Sequence, residues 1–208
     1  MPTLLHIDSS PLYGVSISRE LTAAFVAQWK AAHPGSTVTE RDLNATSIPP
    51  VTGGWVAAAF TPEASRTEEQ KQELALSDTL IAELQGADEW VIGVPMHNFS
   101  ISSPLKLWID QVVRAGKTFA YVEGKPQSLL PGKKVTFVVA SGGIYDAGTQ
   151  MASFNHVEPY LKDVFGFLGV KEPKFLTAGG TMTLRQGKDR NEFLAPHLEA
   201  VQAQASQL

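Results

Sequence analysis

Three serines near the N-terminus have the spacing of a phosphate-binding loop. Ser10, Ser16 and Ser18 follow the short apolar run of residues 3–7 and stand at the start of a helical pattern. A helix N-terminus offers unpaired amides and a partial positive charge to a phosphate, and serine hydroxyls add further donors. Helix capping alone would account for Ser16 or Ser18 but not for all three serines. We therefore predict a phosphate site here.

The absence of two nucleotide-binding motifs limits which phosphorylated ligands this loop is expected to bind. The chain contains neither G-x-x-x-x-G-K-[ST] nor G-x-G-x-x-G, the fingerprints of nucleoside triphosphate and dinucleotide sites. A serine-rich loop at a helix start suits a single terminal monophosphate. FMN carries such a phosphate, and we expect one non-covalently bound FMN per chain.

The turn after the third apolar run carries large side chains of mixed chemistry. Met96, His97, Asn98 and Phe99 follow Pro95, where smaller turn-forming residues would suffice. A flavin ring is flat, with one apolar and one polar end. Backbone amides and the Asn98 side chain could serve the polar end, while Met96 and Phe99 pack against the ring. The residues alone leave open an alternative, which is that Met96 and Phe99 only pack against the end of the sheet and contact no ligand.

A third loop, from Ala140 to Gly143, follows the fourth apolar run. It contains Ser141 and two adjacent glycines, Gly142 and Gly143, which permit close approach of the backbone to a ligand. A Gly-Gly turn taken singly is a weak signal. Its position matters, because ligands of doubly wound parallel sheets bind at the carboxyl ends of the strands. All three loops fall there, and we expect them to share one ligand.

Alternating strand and helix patterns predict the sheet that brings these loops together. The five strand patterns are residues 3–7, 37–43, 89–94, 133–140 and 173–180. Helical patterns run from residue 18 to the Pro-Gly pair at 34–35, and over residues 67–86, 105–113, 155–168 and 186–205. Residues 45–67 lack a clear period and are predicted to be a loop, and residues 117–131 a small hairpin. The predicted fold class is α/β: a flavodoxin-like, doubly wound, five-stranded parallel sheet of order 2-1-3-4-5, with helices on both faces.

Composition limits the class of protein. The 208 residues show no compositional break, which predicts one domain spanning 1–208, and 43% apolar with 18% charged residues indicates a globular chain. A net charge of −4 without a run of Lys and Arg argues against binding to nucleic acid or to an anionic membrane. The absence of cysteine excludes disulfides and thiolate chemistry. Because the sequence shows no signal-peptide pattern and no apolar run of membrane-spanning length, we expect a cytoplasmic protein.

Three segments of the chain resemble one family of enzymes. They are "SSPLYGVSIS", "ALSDTLIAELQGADEWVIGVPMHNFSISSPLKLWIDQVVRAGKTFAY" and "GKKVTFVVASGGIY". Over nearly its whole length the chain resembles the FMN-dependent NADH:azoreductases and NADH:quinone reductases of the flavodoxin-like superfamily. The resemblance implies that Ser10 and the stretch Ser16-Ile17-Ser18 hold the phosphate and ribityl end of FMN. It further implies that Met96 to Phe99 hold the isoalloxazine and that Ala140 to Gly143 contact its pyrimidine side.

The sequence departs from the pattern of that family at two sites. Many relatives have tyrosine in place of His97, and Ser-Arg in place of Ala140-Ser141. These changes bear on substrate preference and on the surroundings of the reduced flavin. His97 is either a proton donor in the two-electron reduction or, as we expect, a ring packed against flavin or solvent. His156 and Glu158 could both ligate a metal, but the sequence points to no third ligand for them, so we expect no metal site.

Exposed aromatic residues are predicted in the two irregular segments. Phe60 lies in residues 45–67, and Phe119 and Tyr121 lie in residues 117–131. They are either packing residues or, as the resemblance implies, walls of a substrate cleft supplied by a partner subunit. The second interpretation implies a homodimer.

The resemblance also implies a reaction. NADH or NADPH delivers hydride to FMN and leaves, and a quinone or aromatic azo compound then accepts two electrons in ping-pong fashion, which gives quinone detoxification and azo bond cleavage. No catalytic side chain is expected, because the flavin carries the chemistry. The alternative is a one-electron carrier of the flavodoxin type, although such carriers tend to be shorter and more acidic. A serine hydrolase built on Asp8-Ser9 is disfavoured, because the chain has no G-x-S-x-G and no Asp-x-x-His near the C-terminus.

Overall fold

A parallel sheet forms the centre of the computed structural model, which describes residues 1–207. Within these residues the strands are β1 (Thr3–Asp8), β2 (Thr37–Asp42), β3 (Glu89–Pro95), β4 (Phe119–Val122), β5 (Lys125–Ser128), β6 (Lys134–Ala140) and β7 (Lys174–Ala178). The central sheet has the order β2-β1-β3-β6-β7, and all its pairings are parallel. The predicted flavodoxin-like order is therefore confirmed. Leu208, the last residue of the predicted domain, lies outside the described residues.

Helices cover both faces of this sheet. They are α1 (Ile17–Ala32), α2 (Gly53–Phe60), α3 (Glu68–Gly86), α4 (Ser103–Val112), α5 (Glu158–Phe167), α6 (Met182–Arg185) and α7 (Arg190–Ala205). Alternate residues of a strand point to opposite faces, so a sheet covered on both sides needs apolar residues at every position. In β3, Trp90 and Ile92 pack in the core beneath α3, α4 and α5, while Val91 packs in the core beneath α1 and α7.

Residues 45–67 correct the sequence prediction, because this segment is not a structureless loop. It contains α2 and a short 3₁₀ turn at Glu63–Ser65. The Thr52 hydroxyl caps α2 by accepting a hydrogen bond from the Trp55 amide at 3.0 Å. Trp55 and Ala58 are buried against Leu74 of α3. The paired glycines that open α2 hide its helical pattern, and packing against α3 stabilises a helix too short to persist alone.

The predicted C-terminal helix is present, but it begins later than predicted, because residues 186–189 are not helical. α6 ends before Gln186, and Gly187 adopts a left-handed φ of 95°, a conformation that glycine accepts without strain. α7 begins only at Arg190, where the Asp189 carboxylate caps the helix by accepting from the Glu192 amide at 2.9 Å. The break places α6 directly after β7, at the same edge of the sheet as the three predicted ligand loops.

The small hairpin predicted for residues 117–131 is present as the antiparallel pair β4 and β5. Its turn residues Glu123 and Gly124 both have positive φ, at 52° and 76°. Such a turn matches the twist of a two-stranded ribbon. The hairpin forms its own two-stranded sheet, separate from the central one.

Two further properties concern residues 1–207 as a whole. None of their helices combines the length and the apolar character that crossing a membrane requires. In this part of the chain, no cluster of three or more His, Asp or Glu residues is suited to hold a metal ion, and His156 and Glu158 belong to no such group.

Candidate functional site

A cleft of about 440 Å³ opens at the carboxyl ends of β1, β3 and β6. It gathers predicted residues from all three loops: Ser10, Ser16, Ile17, Ser18, Met96, His97, Ala140 and Gly142. A larger groove of about 620 Å³ lies between the 145–155 segment and α5, and none of the predicted residues lines it. Size alone would favour that groove, but the coincidence of three separate loops identifies the smaller cleft as the candidate site.

The serine loop forms the polar end of the cleft. Ser16 is the N-cap of α1, and its hydroxyl accepts a hydrogen bond from the Arg19 amide at 3.4 Å. Ser18 does not cap the helix; its hydroxyl lies 3.2 Å from that of Ser16. Ser10 is buried, and its hydroxyl accepts from the Leu12 amide at 3.3 Å. Capping therefore accounts for one of the three serines, and Ser10 and Ser18 line the cleft near the helix start without capping it.

Hydrogen bonds from serine hydroxyls to backbone carbonyls hold this loop against neighbouring elements. The Ser9 hydroxyl donates to the Gly93 carbonyl at 2.7 Å, and the Ser102 hydroxyl donates to the Ser9 carbonyl at 3.1 Å. A Cβ on Gly93 would lie 2.8 Å from the Asp8 carboxylate, so any larger residue would force a neighbouring side chain to shift at this contact of β1 with β3. The end of β1 is thus fixed to β3 and to the start of α4.

The Met-His-Asn-Phe segment forms a tight turn with an unusual backbone. His97 and Ser100 exchange backbone hydrogen bonds of 2.9 and 3.0 Å. Between them Asn98 and Phe99 both have positive φ, at 47° and 72°. Asparagine tolerates the left-handed region, whereas phenylalanine rarely adopts it and pays about 1–2 kcal/mol. Strain of this kind concentrates at binding sites.

The strained turn presents an aromatic ring beside the cleft. The Phe99 ring centroid lies 5.1 Å from that of Phe154 and 6.2 Å from that of Tyr145. The Phe99 carbonyl also accepts from the His156 amide at 3.0 Å, which ties the turn to the segment before α5. Phe154 and Tyr145 were not predicted as site residues, because their segment has no periodic pattern in the sequence.

The glycine loop after β6 is oriented by hydrogen bonds to the segment that follows β7. The carbonyls of Ser141, Gly142 and Gly143 accept from the amides of residues 181, 182 and 180, at 3.0–3.2 Å. Within residues 1–207 the Gly142 and Gly143 amides donate no hydrogen bond. The loop therefore keeps two amide donors for a ligand while its carbonyls are satisfied elsewhere.

Several predicted residues do not line the cleft. Asn98, Phe99, Ser141 and Gly143 belong to its loops without forming its wall, and Phe60, Phe119 and Tyr121 lie away from it. Phe60 is 78% exposed at the end of α2, and Tyr121 is 65% exposed on β4. The Phe119 ring packs on Phe167 of α5 at 4.7 Å. A role for these three aromatics at a cleft therefore requires the cleft of a second copy.

The structure adds wall residues that the sequence reasoning missed: Leu12, Val15, Pro95, Thr181, Leu184, Arg185 and Arg190. Four of them follow β7. The rule that ligands bind at the carboxyl ends of strands applies to β7 as well, so the rule could have identified them. Arg190 donates to the Val15 carbonyl at 3.4 Å and pairs with Glu20, which joins α7 to the serine loop.

Comparisons with known proteins agree with this geometry. The family model described as "flavodoxin-like fold" matches residues 2–205. The chain belongs to the flavodoxin-like fold family. Within that family it is 56% identical to an FMN-dependent NADH:quinone oxidoreductase of Acidobacterium capsulatum, over 99% of this chain and 100% of the relative. It is 47% identical to FMN-dependent NADH:quinone oxidoreductase 3 of Burkholderia lata, over 96% of this chain and 97% of the relative.

Solved structures of flavodoxin-like proteins superpose closely on this one. The azoreductase of Bacillus anthracis strain Sterne matches with a TM-score of 0.90 and 28% identity, over all of both chains. An FMN-dependent NADH-azoreductase of Bacillus anthracis strain Ames Ancestor, solved in complex with FMN, matches with a TM-score of 0.88 and 27% identity. That match covers 100% of this chain and 99% of the other. The family resemblance read from the sequence is confirmed.

Proposed function

We propose that this chain is an FMN-dependent oxidoreductase that transfers two electrons from NADH or NADPH to quinones and aromatic azo compounds. The observation that carries the proposal is the single cleft at which the serine loop, the Met-His-Asn-Phe turn and the Gly-Gly loop meet. The names of the relatives, FMN-dependent NADH:quinone oxidoreductase and FMN-dependent NADH-azoreductase, support it.

The donors present in the cleft fit FMN. Buried hydroxyls of Ser10 and Ser18 stand at the start of α1, where they and the helix amides would hold a phosphate. The Gly142 amide would serve the polar end of the isoalloxazine, and Met96, which lines the cleft, would pack on its apolar part. When bound, FMN supplies the chemistry, taking up two electrons as hydride and passing them on.

The protein residues orient the reactants and exclude competing reactions. Because one cleft mouth serves both substrates, donor and acceptor occupy it in turn and the kinetics are ping-pong. His97 lines the cleft as an exposed ring, and we assign it a packing role. In His97→Gln, turnover and its pH profile should match the wild type, whereas loss of an ionisation from the profile would make His97 the proton donor.

The decisive experiment uses the purified full-length protein. We expect a yellow protein with about one non-covalent FMN per chain that sustains many turnovers of NADH oxidation with a quinone or azo dye. Double-reciprocal plots at several acceptor concentrations should be parallel. A protein that cannot be reconstituted with FMN would refute the proposal. Reduction that stops after one equivalent of NADH would instead support the one-electron carrier.

We also propose a homodimer in which Phe60, Phe119 and Tyr121 reach the partner's cleft. Support comes from their position outside the cleft of their own chain and from an apolar groove of about 450 Å³ between α4 and α5. Phe167 lines this groove and contacts Phe119. Light scattering should give twice the chain mass, and Tyr121→Ala should raise the KM of the acceptor without changing FMN content. A monomer with full activity would contradict the dimer.

The setting we propose for this activity is the cytoplasm, with small molecules as substrates and with neither nucleic acid nor membrane as a partner. The net charge of −4 and the lack of a basic run support this setting. Cell fractionation followed by an activity assay would test it, and activity that sediments with membranes would contradict it.

A further inference from the structure

A partly buried cation, Arg19, lies behind the serine loop, at a helix position that disfavours a positive charge. Arg19 is in the first turn of α1, three residues after the N-cap Ser16. The positive end of the helix dipole favours acidic residues there and opposes a cation. Its side chain is nevertheless only 15% exposed. Because Arg19 goes against the preference of the first helical turn and is held there by tertiary contacts, we expect it to have a role beyond the helix.

The main contact of Arg19 is the backbone of the serine loop. Its Nε and Nη2 atoms both donate to the Ser10 carbonyl oxygen, at 2.9 and 2.6 Å. The guanidinium group is planar and rigid, so two donors to one oxygen fix the direction of that carbonyl. The Ser10 carbonyl thus points at Arg19, while Ser10 itself lines the cleft. A carbonyl oxygen turned toward a phosphate would repel it.

Arg19 also neutralises two carboxylates at the ends of β1 and β2. Its Nη2 donates to Asp42 at 2.7 Å, and its Nη1 lies 3.4 Å from Asp8. Asp8 and Asp42 are neighbours across the β1–β2 pair. Burial alone would raise the pKa of Asp42, but hydrogen bonds from Arg19 and the Asn44 amide outweigh it and lower that pKa. Removing Arg19 would leave both carboxylates without this cation, close behind the loop that lines the cleft.

The guanidinium group is closed off on its outer side. It lies 4.5 Å from the centre of the Tyr13 ring, a residue of the same loop. Every nitrogen of the Arg19 guanidinium group already contacts Ser10, Asp8 or Asp42. The side chain therefore acts on the loop and not on a ligand directly.

We infer that Arg19 is a positioning residue for the FMN phosphate: it turns the Ser10 carbonyl away from the cleft and cancels the charge of Asp8 and Asp42, which makes the serine loop selective for a phosphorylated flavin. The inference rests on the proposed function, because it assumes that the cleft binds FMN. It predicts discrimination between FMN and riboflavin, which differ only in the phosphate.

The test compares flavin binding by flavin-free, full-length variants through fluorescence quenching. Arg19→Gln should weaken FMN binding about tenfold to a hundredfold and riboflavin binding less than about threefold. Arg19→Lys keeps the charge but lacks the paired donors of the guanidinium group, so its loss of FMN affinity should be smaller than that of Arg19→Gln. The matched control is Arg41→Gln, because Arg41 on β2 makes a similar partly buried ion pair with Glu83 of α3 and does not line the cleft. It should leave the ratio of the two affinities unchanged.

A rescue variant separates positioning from general damage. Adding Asp42→Asn to Arg19→Gln removes one uncompensated carboxylate and should recover part of the FMN affinity. Equal losses for FMN and riboflavin in both Arg19 variants would overturn the inference. A wild-type protein that fails to prefer FMN over riboflavin would instead overturn the proposed function, before any variant is made.

Discussion

The hydroxyls of Ser16 and Ser18 lie 3.2 Å apart, yet only that of Ser16 caps α1. The two neighbours are therefore chemically alike and structurally different. One stabilises the helix whether or not a ligand is bound, and the other is available to a phosphate. The difference allows the capping and the binding roles of the loop to be measured separately.

Ser18→Ala should weaken FMN binding and leave stability nearly unchanged. A hydrogen bond to a charged group contributes about 1.5–3 kcal/mol, which corresponds to a loss of about tenfold to a hundredfold in FMN affinity. Riboflavin should bind almost as before. Ser16→Ala should lose a cap as well, at a cost of about 1 kcal/mol in the free energy of unfolding. Titration with both flavins and urea unfolding measure the two effects.

The control for this pair is Thr67→Ala, which removes the cap of α3, a helix that does not line the cleft. It should lower the free energy of unfolding by about 1 kcal/mol without changing the preference for FMN. If Ser18→Ala behaves like Thr67→Ala, then Ser18 has no part in phosphate binding.

Gly93→Ala should destabilise the protein by about 1–3 kcal/mol through overpacking. The new methyl group would lie 2.8 Å from the Asp8 carboxylate and 3.2 Å from the Thr22 methyl, both of which are packed in place. Gly86→Ala is the matched change, because nothing lies within 4 Å of its added methyl at the end of α3. Thermal unfolding should place Gly86→Ala at or above the wild type. Equal behaviour of both variants would mean that the β1–β3 contact tolerates expansion.

Asn98 can be tested with two substitutions that differ in backbone freedom. Its φ of 47° suits glycine but strains alanine, so Asn98→Ala should lose about 1 kcal/mol more stability than Asn98→Gly. Both variants lack the side-chain amide and should weaken FMN and riboflavin alike, because the flavin ring is common to both. Flavin titration and urea unfolding distinguish these effects. Wild-type affinity in Asn98→Gly would show that the residue serves the turn and not the ring.

Stability should depend on Asp42 in a pH-dependent way. The folded-state pKa of Asp42 is lowered, because hydrogen bonds from Arg19 and Asn44 outweigh the burial that raises it. A carboxyl with a lowered pKa stabilises the fold above its ordinary value of about 3.9, and this contribution disappears as the pH falls through the lowered value. Asp42→Asn should therefore cost about 1–3 kcal/mol at neutral pH and much less in acid.

Urea unfolding of wild type and Asp42→Asn across a series of pH values measures this difference. Asp110→Asn is the control, since Asp110 pairs with Lys106 on the surface of α4, where an ion pair contributes about 0–1 kcal/mol. A cost of Asp42→Asn that stays constant into acid would contradict the assigned ionisation.

The central sheet was predictable because its strands are short apolar runs punctuated by turn residues, and the strand order followed from their alternation with helices. What escaped prediction depends on contacts between distant residues. Helix α2 is stabilised because Trp55 and Ala58 pack on Leu74 of α3. The periodicity of the sequence does not reveal this contact. Phe154 packs on Phe99 of the Met-His-Asn-Phe turn, a residue that lies far from it in sequence. Phenylalanine rarely adopts a left-handed φ, so this backbone conformation of Phe99 could not be predicted from the local sequence.

The cleft is assembled from loops at the ends of β1, β3 and β6, strands that pair only with partners far away in sequence. Such non-local parallel pairing forms slowly during folding. A growing chain on the ribosome therefore cannot capture its cofactor until β6 has emerged and docked on β3. Since an unfolded chain presents no assembled cleft, FMN acts as a selective ligand of the finished fold, and each tenfold rise in free FMN above its Kd adds about 1.4 kcal/mol to native stability. The abundance of the enzyme in a cell is thus coupled to the supply of its flavin.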